Sequence, residues 1–235
     1  MPTLRLDKII ANSGLYSRSE ATALIRRGCV TVGKKFATSG AEKYDPKTER
    51  ITVNGEILEY REYRYIMLNK PCGYISSTAD KREKTVMELL DNKYSKLGLF
   101  PAGRLDKDAE GLLLLTNNGE FAHEITSPIN KIHKQYFVKI DGEITTKDIM
   151  VFANGIILGD GTKCMPAILE KTKEGAFVTV YEGKYHQVKR MIAAIGKQVI
   201  SLKRVAIGGL ILDEGLNPGE YRELTDEIEL IFSNN

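Results

Sequence analysis

The hexapeptide Glu59-Tyr60-Arg61-Glu62-Tyr63-Arg64 contains only charged residues and tyrosines, and an apolar run, Tyr65-Ile66-Met67-Leu68, restarts immediately after it. Burying four unpaired charges in one core would be prohibitive. The chain of 235 residues is therefore expected to fold as two units, with residues 1–58 in front, 59–64 as a bridge and 65–235 behind, in keeping with roughly 100–200 residues per domain.

The front unit reads as two short helices followed by strands. Leu6, Ile9 and Ile10 recur at helical spacing, predicting a helix over 7–13. Ser17 followed by Glu20 is a capping-box pattern that opens a second helix, and Gly28 supplies its stop. Val30 and Val32 begin an extended stretch. Ile51-Thr52-Val53, Asn54-Gly55 and Glu56-Ile57-Leu58 together give the signal of a two-residue type I′ hairpin.

Behind the bridge, strands are predicted at 111–116, 136–140, 177–181, 198–202 and 207–212, with helices at 86–90 and 188–195. They alternate without a regular βαβ cadence, so an α+β domain on a mixed, largely antiparallel sheet is expected. Apolar runs such as Leu112–Leu115 are far shorter than the ~20 residues that span a bilayer. Nothing here predicts a membrane association or a targeting signal. Cys29, Cys72 and Cys164 are widely spaced and form no CxxC pair, so a reducing, cytoplasmic setting is expected, with neither a disulfide framework nor a cysteine metal site.

The formal net charge is only +3, but it is unevenly distributed. Residues 1–40 hold seven basic side chains against two acidic ones, and 181–204 hold six (Lys184, Lys189, Arg190, Lys197, Lys203, Arg204) against Glu182, so each stretch carries +5. Basic surfaces of this kind attract polyanions by releasing counterions, which makes nucleic acid the leading partner.

Between Gly103 and Gly111 lie three carboxylates, Asp106, Asp108 and Glu110, immediately before Leu112–Leu115. The spacing matches the opening of a calcium loop, but its twelfth position is Asn117 where a bidentate Glu is needed, and the leucine run suits a strand. A sugar-nucleotide DxD site on Asp106 and Asp108 finds no supporting His or acidic cluster. No metal is therefore expected.

Arg5-Leu6-Asp7-Lys8, Ser17-Arg18-Ser19-Glu20-Ala21 and Arg26-Arg27-Gly28 with Val30 and Val32 resemble an S4-type RNA-binding domain. That resemblance implies contacts from Arg5, Arg18, Arg26 and Lys34 to RNA phosphates, which position RNA without reading its sequence. Arg104-Leu105-Asp106 with Gly111-Leu112-Leu113 resembles the signature of pseudouridine synthases that carry an S4 domain. Further blocks follow the same family in order: Met67–Pro71 with Gly73-Tyr74, Ile125–Pro128, Lys134-Gln135-Tyr136, Glu182–Met191 and Pro218–Arg222. Where many members carry Thr, this chain has Ala109.

The family resemblance implies a cofactor-free isomerisation of a uridine in RNA, with Asp106 as the catalytic carboxylate, acting on the sugar, on the base or as a proton acceptor. Lys189 matches its basic partner, and Tyr136 matches the aromatic residue packed on the target base. Arg104 matches a residue that holds RNA around the vacated stack, and Lys184, His186, Gln187 and Arg190 are expected to contact RNA. Tyr185–Met191 and Asn69-Lys70-Pro71 are most similar to members acting on small-subunit (16S) ribosomal RNA, with the large-subunit enzymes as the alternative. The implied partner is ribosomal RNA, free or in an assembling small-subunit particle, and the protein is expected to be a monomer. Two other readings follow from the residues alone: a non-catalytic S4-type RNA-binding factor, and a metal-dependent sugar transferase.

Overall fold

A computed structural model describes residues 3–233. Its contacts divide into two compact units: residues up to Arg64 together with Leu90–Leu99, and Tyr65–Leu89 with the chain from Phe100 onward.

In the first unit, β1 (Leu4–Arg5) leads into α1 (Leu6–Ala11), which ends earlier than predicted because Gly14 turns the chain at φ +81°. Leu6, Ile9 and Ile10 are fully buried. α2 (Arg18–Arg26) starts on Ser17, whose hydroxyl accepts from the Glu20 N–H while the Glu20 carboxylate accepts from the Ser17 N–H, completing the expected capping box. Gly28, at φ +71°, follows its end. The strands β2 (Val30–Val32), β3 (Lys35–Phe36), β4 (Lys43–Tyr44), β5 (Ile51–Val53) and β6 (Glu56–Ile57) form a sheet in the order β3-β2-β5-β6 and a β1-β4 pair. Asn54 and Gly55 both take positive φ, 52° and 85°, which is the backbone of a type I′ turn between β5 and β6. Val30, Val32, Ile51 and Val53 close the core over both helices. The segment Leu90–Leu99 belongs here through the buried Leu97 and Leu99 and a Lys96–Glu20 ion pair of 2.7 Å.

The second unit is built on β7 (Tyr65–Lys70), β8 (Phe100–Pro101), β9 (Glu110–Thr116), α3 (Gly119–Thr126), β10 (Lys134–Asp141), α4 (Thr146–Ala153), β11 (Ile168–Lys171), β12 (Ala176–Val180), α5 (Gln187–Ala194), β13 (Gln198–Ile207), β14 (Leu210–Ile211) and β15 (Tyr221–Glu223). Its sheet runs β11-β12-β10-β13-β9-β7-β15, with β8 on β9 and β14 on β13. The ladders are antiparallel except β9 with β13. This is the expected mixed, largely antiparallel α+β architecture.

Leu112–Leu115 are all buried, as befits a central strand covered on both faces. The predicted strand at 207–212 is instead a hairpin between the end of β13 and β14, because Gly208-Gly209 break the run. The predicted helix at 86–90 is a single 3₁₀ turn, Val86–Leu89. α3 and α4 were not anticipated. Among the described residues, no helix is long and apolar enough to cross a membrane.

Candidate active site

The segment from Gly103 to Ala109 connects β8 to β9 and is pinned at several points. Leu105 and Ala109 are buried on either side of Asp106, and the Ala109 N–H donates to the Asp106 carbonyl at 3.1 Å. The Ser76 hydroxyl accepts from the Leu105 N–H at 3.0 Å and lies 2.9 Å from its carbonyl, while the Gly73 N–H donates to the Lys107 carbonyl at 2.8 Å. Beneath the loop, the fully buried Lys70 at the end of β7 directs its ammonium to the carbonyls of Ala109 (2.7 Å), Pro71 (3.0 Å) and Lys107 (3.4 Å). Burial brings that ammonium down to a pKa of about 8, although the charges of Asp106, Asp108 and Glu110 oppose the shift. Lys70 closes a strand whose first four residues, Tyr65–Leu68, are apolar or aromatic, and that placement of a cation was a visible signal.

Held in this way, Asp106 keeps 27% of its side chain exposed and faces the first turn of α5. Lys189 Nζ lies 3.2 Å from Asp106 Oδ2 and 2.5 Å from Asp108 Oδ1. A cation in the first turn of a helix opposes the helix dipole, so these two carboxylates supply the reason for its place. Burial alone would lower the Lys189 pKa, but hydrogen bonds to Asp108 and Asp106 outweigh it and raise the pKa. The bond to Lys189 lowers Asp108 in turn, against its own burial. Asp106 and Asp108, weighed earlier as a cation loop, are thus bridged by a lysine. His186 Nε2 stands 3.6 Å from Asp106 Oδ1.

The loop before α5 hangs on Glu182. This buried carboxylate accepts from the Met165 N–H (2.9 Å), Gln187 Nε2 (3.0 Å) and Lys184 Nζ (2.6 Å), and Gln187 Oε1 accepts from the Lys184 N–H (2.9 Å). Gln187 is 5% exposed, so its amide holds the loop together. Lys184 also donates to the Lys163 carbonyl, and Arg190 pairs with Asp160 at 2.5 Å.

Tyr136, half-buried on β10, is directly opposite Arg204 on β13, which in turn pairs with Gly111 on β9. This row leads from the aromatic residue to the strand that follows the Asp106 loop. Arg204 is buried, and its guanidinium donates to the carbonyls of Leu112 (2.8 Å) and Arg104 (3.4 Å), framing the loop from both ends. Its Nη2 has no hydrogen-bond partner. Neither Arg204 nor Glu182 was foreseen as part of the site. The Arg104 side chain is exposed, as are Arg5, Arg18, Arg26 and Lys34 of the first unit, with Arg5 bonded to Asp7 at 2.6 Å.

Most of the positive charge read at 181–204 is paired or buried in three dimensions. Lys184, Lys189, Arg190 and Lys197 meet Glu182, Asp106 with Asp108, Asp160 and Asp148 respectively, and Arg204 is buried. Four of the five acids lie far away in sequence, where a linear count could not pair them.

Residues 64–194 match the RNA pseudouridylate synthase family, and residues 4–49 match the S4 domain family. An RNA pseudouridine synthase of Bacillus subtilis (strain 168), itself named as uncharacterized, is 46% identical over 229 residues, covering 95% of this chain and 96% of its own. Ribosomal small subunit pseudouridine synthase A of Escherichia coli (strain K12) is 42% identical over 228 residues, covering 95% and 97%. A crystal structure of a pseudouridylate synthase superposes with a TM-score of 0.68 at 40% identity, covering 97% of this chain and 99% of that one. With similarity running through both units and through the loop that presents Asp106 to Lys189, the chain belongs to the RNA pseudouridine synthases that carry an S4 domain ahead of the catalytic domain.

Proposed function

We propose that this enzyme isomerises a uridine of small-subunit (16S) ribosomal RNA, with Asp106 as the catalytic carboxylate. The reading is carried by Lys189 held 3.2 Å from Asp106, and the substrate is taken from the relatives named as ribosomal small subunit pseudouridine synthases. The N1–C1′ bond breaks, the uracil turns, C5 bonds to C1′, the C5 proton leaves and N1 gains one. Atoms and electrons balance within the nucleotide and water, so the chemistry needs no cofactor. The Lys189 ammonium stands opposite the Asp106 carboxylate as its counter-charge. Tyr136 supports the target base, and Arg104 fills in beside the base pushed out of its stack.

Residues 1–58 bring RNA to the enzyme through Arg5, Arg18, Arg26 and Lys34, 59–64 link, and 65–235, apart from Leu90–Leu99 of the first unit, form the reacting part. Lys184, His186 and Arg190 line the approach, with Gln187 fixing their loop. The enzyme works as a cytoplasmic monomer on ribosomal RNA, free or in an assembling particle.

Tritium release from ribosomal RNA labelled at uridine C5 tests the proposal. The wild-type protein should release label and Asp106→Asn should release none, and equal release by the two would overturn the role of Asp106. Release from large-subunit RNA alone would replace the substrate.

A further inference from the structure

Tyr185 is 76% exposed, unlike most aromatic side chains of the catalytic unit. Its inner face lies on the His186 ring, centroids 3.8 Å apart and planes 19° from parallel, and His186 in turn reaches to within 3.6 Å of Asp106. The pair is held in place. His186 takes the left-handed backbone at φ +49°, a conformation that costs a non-glycine residue about 1 kcal/mol or more and persists only where surroundings impose it. Those surroundings are the buried Glu182 and Gln187: Gln187 Oε1 accepts from the Lys184 N–H within the loop, its Nε2 donates to Glu182, and Glu182 accepts from the Met165 N–H of a separate segment. A rigid aromatic face is thus displayed to solvent one ring away from the acid.

We propose that the outer face of Tyr185 is a stacking platform for an unpaired RNA base flanking the target uridine. Extruding a nucleotide strips its neighbours of a stacking partner, and a flat aromatic ring is the surface on which a single-stranded base re-stacks. The spacing already present between the rings of Tyr185 and His186 is that of such a stack, so a base would extend it as a third layer. The flanking cations Lys184 and Arg190 are ion-paired with Glu182 and Asp160, so the ring adds an uncharged contact beside theirs. The inference rests on the enzyme acting on ribosomal RNA.

Steady-state tritium release from labelled small-subunit ribosomal RNA, with Tyr185→Ala, Tyr185→Phe and Tyr185→Trp, tests it. Tyr185→Ala should raise KM about 5- to 150-fold, the range of one base–aromatic stack, with kcat within about 2-fold, while Tyr185→Phe and Tyr185→Trp keep the wild-type KM. Because stacking is not ionic, the KM ratio of Tyr185→Ala to wild type should stay constant as salt is raised. An unchanged KM in Tyr185→Ala, an equal loss in Tyr185→Phe, a ratio that shrinks with salt, or a fall in kcat alone through displaced His186 would each overturn the platform. No release by the wild-type protein would instead overturn the substrate on which it rests.

Discussion

Lys70 shows how one buried side chain can hold a loop, here the one that carries Asp106, from beneath. Its ammonium is the shared donor for three carbonyls, two of them in the Asp106 loop, so Lys70→Met would strip that donor from all three, with the Gly73 N–H still donating to Lys107. We expect a loss of about 1–3 kcal/mol of stability, seen as a fall of roughly 2–12 °C in Tm, and a drop in kcat of more than tenfold. The wild type should carry a pH signature. With a folded pKa of about 8 below the unfolded 10.5, the folded chain holds fewer protons than the unfolded one between these values, so this group's contribution to stability rises with pH across that window and is constant below it. Melting curves from pH 7 to 10.5 should show that rising component in the wild type and not in Lys70→Met. Asp106 and Lys189 stood out as candidates because their motifs are local, whereas the places of Glu182 and Arg204 depend on distant segments, at Met165 and at Leu112 with Arg104, which no spacing encodes; the inward turn of Gln187 rests on the nearby Glu182 and Lys184.

At the scale of elements, local signals were reliable where capping or turn chemistry was strong. Ser17 with Glu20, and Asn54-Gly55, each specify their own backbone, and both form as the residues dictate. The same logic was available and unused at α4, where Thr145 and Asp148 form a second capping box, and at α3, where Asn118 caps the helix. The β13–β14 hairpin was misjudged because an apolar run was weighed above its two glycines. Gly111 offers the sharpest test of an element. It sits at φ +101°, and a Cβ there would lie 2.2 Å from the Arg204 carbonyl oxygen across the β9–β13 ladder. Gly111→Ala should therefore destabilise the catalytic unit by about 3 kcal/mol or more through strain and a displaced strand. Urea unfolding would check this, and a change below about 1 kcal/mol would show that the strands separate without penalty.

For the whole molecule, charge is the quantity a sequence count misjudged. Lys184, Lys189, Arg190 and Lys197 are matched by acids within the fold, so the salt dependence of RNA binding should come mainly from the exposed cations of the first unit. Replacing Arg18, Arg26 and Lys34 together by Ala should weaken RNA binding and reduce the slope of log K against log salt by about 2–3, at roughly 0.7–0.9 per phosphate contact. Filter binding between 50 and 300 mM salt reads this directly, and an unchanged slope would move the RNA-binding surface elsewhere. The fold itself was readable at this scale, since strand-rich patterning without βαβ rhythm led to the mixed sheet.

The broad sheet of the catalytic unit is sewn together by a very short parallel ladder, Lys203 with Glu110 and Arg204 with Gly111. Asp106 is attached on one lip of that suture through β9, and Lys189 on the other through the helix that feeds β13. Any pull that parted the suture would draw the acid and its ammonium away from each other before either half of the sheet lost its own pairing. The intact distance between those two groups is therefore a gauge of whether the sheet is closed, and a polynucleotide gripping both lips would act as a clasp across the ladder.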